Sequence, residues 1–312
     1  MPRSIARTRT PAAVLLTLVL ALTACGGGTD AGADAAAEPS GSAWPVTVTG
    51  ADGDLTVDER PEAIVSLSAT TTEMLFAIGA GDQVTAVDDT SNYPVDAPVT
   101  DLSAFTPNAE AIAGYEPDLV ILSNDLNGIV DALDSLAVPT LLLEAAASID
   151  DTYAQLETLG EATGHVEEAD EVIADVQDRI EAAVDSVPDE VEGMQVYHEL
   201  DPSFFSADST TFIGSIYTLF GLENIADGAD ATAGGYPQLS AEYVVGEGPD
   251  LIVLADTKCC EQTAATVAQR PAFDTVPAVK EGRVLAADDD IASRWGPRIA
   301  DFAESVAGAL QG

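Results

Sequence analysis

Side chains able to do chemistry are few in this sequence. The histidines are His165 and His198 and the cysteines are Cys25, Cys259 and Cys260, set among 54 carboxylates and 11 bases. His198 with Glu199 and Asp201 comes nearest to a metal-ligand set. One imidazole beside two carboxylates is a thin offer to zinc or manganese, and His165 reads as a surface residue. No Gly-x-Ser-x-Gly elbow, P-loop or His-Glu-x-x-His occurs, so a secreted hydrolase, the rival from another functional class, finds no support. A binding protein fits better than an enzyme; no catalytic residue and no metal ligand is assigned. Cys259 and Cys260 are adjacent, with Cα atoms about 3.8 Å apart, closer than most disulfides prefer. The pair is either a vicinal disulfide stiffening a loop or two separate thiols.

One pair of carboxylates is set apart by repetition. Residues 109–122, AEAIAGYEPDLVIL, return at 241–254 as AEYVVGEGPDLIVL, an offset of 132 with seven of 14 positions identical. Unrelated stretches match at about one position in such a window, so the unit is internal repetition or convergence on one local structure. Asn108 and Ser240 are good N-caps. Glu110 and Glu242 then fall in the first helical turn, where the dipole favours a carboxylate. Gly114 and Gly246 are expected to end the short helices. Pro117 and Pro249 forbid their continuation, and Asp-Leu-Val-Ile-Leu or its twin runs into a buried strand. For a single Glu, placement on a helix dipole is explanation enough; a matched pair, one in each half, points to function.

The elements around these units alternate. Ala63–Leu67 is a strand, and hydroxyls from Ser68 to Thr71 cap a helix carrying Met74, Leu75 and Ile78 and stopping at Gly79. Val84–Val87 and Val138–Leu143 are further strands. In the second half Gln195–His198 is a strand, and a helix with Phe212, Ile216, Leu219 and Phe220 ends at Gly221. Alternating β and α elements imply parallel sheets covered on both faces. Between the halves, residues 165–187 contain no Pro or Gly. Ala169, Val172, Val176, Ile180, Ala183 and Val187 recur there at steps of three or four, bounded by Gly164 and Pro188. This is a strut of about 35 Å. The fold class is thus α/β, two β/α lobes joined by one long helix.

The N-terminus reads as an export signal. Arg3, Arg7 and Arg9 precede an apolar run from Ala12 to Leu22, too short to span a bilayer. Leu22-Thr23-Ala24-Cys25 resembles the bacterial lipobox, in which the signal is cut before a cysteine that receives lipid. Residues 1–24 are then the signal, 25–43 a flexible tether rich in Gly, Ala and Asp, 44–164 and 188–312 the lobes. Val46–Thr49 alternates like an edge strand. The net charge of −43 excludes nucleic acid and anionic lipid as partners, because both need clustered bases, and suits a heavily solvated surface.

From Pro61 to the C-terminus the chain resembles the iron-siderophore and cobalamin class of substrate-binding proteins of ABC importers. The resemblance rests on Ile64-Val65-Ser66-Leu67-Ser68 with Thr72-Glu73, on Asn92-Tyr93-Pro94, on Pro117–Ile121, on Gly235–Ser240 and on Ser293–Arg298, in that order. It implies a ligand cleft between the lobes, a monomer, a location outside the cytoplasmic membrane held only by lipid at Cys25, and a permease with its ATPase as partner. Glu110 and Glu242 fall where the family carries the glutamates that pair with permease arginines, a role suited to orientation and association.

Ligands of parallel sheets bind beyond the carboxyl ends of strands. That rule selects the loops holding Ser68, Tyr93, Phe105, Phe205 and Arg294, and the resemblance adds Tyr236. The four aromatics offer walls for a large flat or globular ligand, with core packing the alternative for each. Arg294, Arg298 and Lys258 are the only bases within reach, and Arg298 is expected to support the last helix. A tri-anionic catecholate is therefore disfavoured. The expected cargo is a cobalt or iron chelate of little charge, cobalamin or a related corrinoid or a hydroxamate siderophore, with no intrinsic cofactor. Haem or a bare metal ion is the alternative within the same fold.

Overall fold

The structure is a computed structural model that describes residues 44–229 and 232–312. The expected signal, the Cys25 anchor and the tether lie outside the described residues.

The first strands, β1 (Val46–Gly50) and β2 (Gly53–Val57), form an antiparallel hairpin; the alternation at Val46–Thr49 had indicated only one of its two strands. A parallel sheet follows, built from β3 (Ile64–Leu67), β4 (Val84–Val87), β5 (Leu119–Leu122) and β6 (Thr140–Leu142) in the order β4-β3-β5-β6. Its helices are α1 (Ala69–Ala77), α2 (Ala109–Ala113), α3 (Ile129–Asp134) and α4 (Ile149–Thr163). Next comes α5 (Val166–Asp185). The second lobe has a parallel sheet of β7 (Gln195–Glu199), β8 (Glu223–Asn224), β9 (Leu251–Leu254) and β10 (Val284–Ala286), ordered β10-β9-β7-β8. Its helices are α6 (Phe212–Leu219), α7 (Ala241–Glu247), α8 (Thr257–Cys260), α9 (Ala264–Ala268), α10 (Pro277–Glu281), α11 (Asp289–Ser293) and α12 (Ile299–Leu310).

Each sheet has a buried layer on both faces, which is why β3, β5 and β9 are buried at every position. On β3, Ile64 enters one layer while Val65 and Leu67 enter the other. On β7, Val196 and Tyr197 divide in the same way. Helix α5 belongs to both lobes. Ala169 and Ile173 pack into the first core, and Val176, Ile180 and Ala183 into the second. Tyr153 and Trp295 also touch both cores. The strut is therefore an integral wall of one compact unit. Relative to the expected stripe, the structure buries Ile173 and leaves Val172 half-buried.

The repeated unit folds alike in its two copies, with one correction. Gly114 caps the first short helix as expected, whereas Gly246 lies inside α7, which is capped at Gly248. The left-handed residue is Glu116 (φ 51) in the first copy and Gly248 (φ 65) in the second, still 132 apart. Proline disfavours the right-handed helical region for the residue before it, so neither copy can continue as helix into Pro117 or Pro249.

Candidate ligand cleft and docking carboxylates

The carboxyl ends of β3, β4, β7, β9 and β10 carry the loops at issue. After β4, buried Asp88 accepts from the Thr90 amide (3.3 Å) and hydroxyl (2.5 Å) and from the Ser91 hydroxyl. Ser91 Oγ lies 2.9 Å from Thr72 Oγ1 on α1. This lacing fixes the segment that ends in Tyr93. After β7, Phe204 adopts φ 68, which sends it inward onto Phe273 while its neighbour Phe205 faces out. Phe205 bridges Gln238, and the Ser206 and Asp208 amides donate to Pro237 and Gly235 (3.0 and 2.8 Å). Those contacts bring Phe205 and Tyr236 onto one wall. Tyr93, Phe105, Phe205 and Tyr236 keep 46%, 67%, 38% and 45% of their surfaces exposed, so none of the four is spent on the core.

Two other candidates have different work. Ser68 is buried and caps α1, accepting from the Thr71 amide at 3.3 Å; it positions the helix rather than lining the cleft. Arg294 is not available to an anionic ligand. Its guanidinium donates to Glu73 Oε1 (2.7 Å), Asn92 Oδ1 (2.9 Å), the Thr90 carbonyl (3.2 Å) and Asp290 Oδ1 (2.9 Å). Arg298 forks onto the same Glu73 at 2.8 and 2.5 Å and covers the Tyr93 ring at 4.1 Å from its centre. Glu73, with a side chain only 2% exposed, thus locks the first lobe to the start of α12. In the sequence Glu73 stands only as part of the Thr72-Glu73 motif, which by itself gives no sign of this role. The available signal was two arginines four apart, facing a single carboxylate on a helix with no other charge. Lys258 is likewise occupied, at 2.6 Å from Asp288 and 2.7 Å from Asp290.

Beneath the second lobe's loops lies a sealed polar cluster. Glu199 takes both branches of Arg270 at 2.5 Å and the Tyr197 hydroxyl at 3.1 Å. Asp256 has no solvent exposure, and neither of its oxygens receives a hydrogen bond. Burial, and then the charge of Glu199, push its pKa up to about 7. His198 points to the other face of β7, where its Nδ1 lies 2.5 Å from the Tyr217 hydroxyl. Burial lowers its pKa to about 3, so it stays neutral. His198 and Glu199 therefore do not converge, and among the described residues no group of three His, Cys, Asp or Glu could hold a metal ion. His165 is hydrogen-bonded to Arg60 at 2.7 Å, at the head of α5.

Glu110 and Glu242 are both exposed and form no ion pair among the described residues. Each follows a working cap, with Asn108 Oδ1 accepting from the Ala111 amide at 3.0 Å and Ser240 Oγ from the Tyr243 amide at 3.1 Å. A concavity of about 690 Å³ lies along α5 between Phe76, Val172 and Pro297. The Glu73–Arg298 lock forms one of its walls, and of the four exposed aromatics only Tyr93 lines it.

Two parallel-sheet lobes, a shared helix and aromatic loops at the carboxyl edges define a solute-binding protein. The family model described as periplasmic binding protein matches residues 64–291, and the chain belongs to that family. An uncharacterised ABC transporter substrate-binding lipoprotein of Bacillus subtilis, YvrC, is 30% identical over 96% of this chain and 95% of its own length. A cobalamin-binding protein of Halobacterium salinarum is 31% identical over 86% of this chain and 74% of its own. The fold is shared with a periplasmic binding protein of Veillonella parvula (TM-score 0.71, 21% identity, 86% of this chain and 98% of that one).

Proposed function

We propose that the chain is the extracytoplasmic substrate-binding protein of an ABC importer and that its cargo is a metal chelate of low charge, a corrinoid first of all. The observation that carries the choice of cargo is the employment of the bases. Lys258, Arg294 and Arg298 near the carboxyl edges are paired with carboxylates, as is Arg270 with Glu199 at the end of β7. An anionic catecholate would have to break those pairs, whereas an uncharged macrocycle needs only the apolar faces of Tyr93, Phe105, Phe205 and Tyr236. Similarity to a cobalamin-binding protein over most of the chain supports the same reading. Haem is the second reading, favoured by two exposed phenols, Tyr93 and Tyr236, since a tyrosine can serve as an axial ligand.

The test is co-elution of the purified protein with cyanocobalamin, haemin, a ferric trihydroxamate or a ferric tris-catecholate, read from ligand absorbance and from quenching of Trp295. Cyanocobalamin is expected to co-elute at one per chain. Retention of the catecholate with exclusion of the corrinoid would sink the proposal.

Glu110 and Glu242 serve as docking points for arginines of the permease, and lipid on Cys25 holds the monomeric protein at the membrane. Reversing both charges (Glu110→Arg with Glu242→Arg) is expected to leave chelate affinity unchanged and to weaken stimulation of the importer's ATPase by about ten-fold or more in proteoliposomes. Loss of chelate affinity would instead put these residues in the cleft. Mass spectrometry of the membrane-extracted protein checks the anchor: a diacylglyceryl mass on an N-terminal Cys25 is expected.

A further inference from the structure

Helix α8 follows the central strand β9 at the carboxyl edge of the second lobe, and Cys259 and Cys260 within it are joined by a disulfide. The segment is already held without that bond. Asp289 accepts from the amides of Thr257 (2.7 Å), Lys258 (2.9 Å) and Cys259 (3.0 Å). The Asp256 carbonyl accepts from the amides of Cys260 (3.2 Å) and Gln262 (3.3 Å). The Thr257 hydroxyl is bonded to Ala287 (2.9 Å) and Asp289 (2.6 Å). Lys258 is drawn toward Asp288 and Asp290, and Asp290 also meets Asn92 of the first lobe at 3.1 Å, so the segment stands beside the junction of the lobes. With the backbone amides tied inward, the turn exposes Cys259 between Lys258 and Glu261. Stiffening is thus supplied by hydrogen bonds. What the disulfide adds is an uncharged, polarisable surface at the cleft edge of a protein otherwise covered in carboxylates.

We propose that the Cys259–Cys260 disulfide is a ligand-contacting surface of the second lobe, selecting cargoes that present the face of a conjugated ring. The proposal rests on the reading of the cleft as a chelate site and narrows the cargo to macrocycles. Sulfur packs favourably against π systems. A reduced pair presents two separable thiols in place of one fixed apolar knob.

Equilibrium dialysis of the full chain against cyanocobalamin, haemin and a ferric trihydroxamate tests it. The protein is compared oxidised, reduced with dithiothreitol and reoxidised. In the reduction the two dithiothreitol thiols close into a ring disulfide, and their two electrons and two protons yield the Cys259 and Cys260 thiols. Affinity for the macrocycle that binds is expected to fall roughly three- to ten-fold on reduction and to return on reoxidation. Cys259→Ala with Cys260→Ala should match the reduced protein without any reductant. Amide exchange across residues 257–262 should be unchanged, since the hydrogen bonds remain. Equal macrocycle affinity in all forms overturns the inference alone, as does a loss accompanied by melting of that segment, which would make the bond a stiffener. Binding of the trihydroxamate alone also overturns it while leaving a chelate carrier. Binding of none of the three overturns the reading of the cleft and the inference with it.

Discussion

Replacing Glu73 by alanine is expected to destabilise the protein by about 3–5 kcal/mol, the usual cost of leaving buried charge without its partner. Two guanidiniums, 12% and 17% exposed, lose their shared carboxylate at once. For a chain of this size the thermal midpoint should fall by roughly 10 °C, measured by calorimetry. Tyr93 loses the guanidinium that covers it, so affinity for the cargo should fall as well. Replacing all three partners by apolar residues (Glu73→Leu, Arg294→Met, Arg298→Met) should recover most of the stability, because a buried ion cluster costs nearly as much desolvation as it returns in attraction. A midpoint unchanged in Glu73→Ala would mean that the lobes are held by α5 and the apolar contacts of Trp295 alone.

Asp256→Asn is expected to stabilise the protein at pH 8 while changing little at pH 4. In the folded chain Asp256 keeps its proton up to about pH 7, against 3.8 for the unperturbed group. Between those values the folded state binds more protons than the unfolded one, so stability is full near pH 4 and declines as pH rises through 7. Above that point two carboxylates, Asp256 and Glu199, face Arg270 in a sealed space. Tyr197 is no relief, since burial pushes its pKa far above the ordinary phenol range and keeps it neutral. The amide keeps the shape of the protonated acid and removes the charge, a gain on the order of 2 kcal/mol at pH 8. Denaturant titrations at pH 4, 6 and 8 should show a falling stability in the wild type and a flatter profile in the variant. Parallel profiles would mean that Asp256 is ionised throughout.

What was legible in the sequence is what short-range rules govern. The caps at Asn108 and Ser240, the strands after Pro117 and Pro249, and the start of α5 at His165 all depend on neighbours within a turn or two; α5 itself ends at Asp185, two residues short of the expected Val187. Gly114 closes α2 as a glycine can, whereas α7 runs on past Gly246 to Gly248, the residue that Pro249 restricts. The hairpin was half-seen, since Gly53–Val57 carries two carboxylate-free apolar positions only, Leu55 and Val57. The lock at Glu73 joins residues 221 and 225 positions apart, and no spacing announces such a pairing. Arg294 was assigned to the ligand for that reason: its charge was visible and its partner was not. Of two adjacent phenylalanines, the choice of Phe205 for the cleft depended on the left-handed turn at Phe204, which neither residue type advertises.

The most direct measurement is the ratio of dissociation constants for cyanocobalamin and a ferric tris-catecholate, taken on one preparation at one ionic strength. With Lys258, Arg294 and Arg298 already paired, the corrinoid should bind at least about 100-fold more tightly, near 3 kcal/mol of preference, and the ratio should change little with added salt. A catecholate bound as tightly as the corrinoid, or an affinity for it that collapses as salt is added, would show that the arginines leave Glu73 to meet the ligand, contrary to the cleft described above.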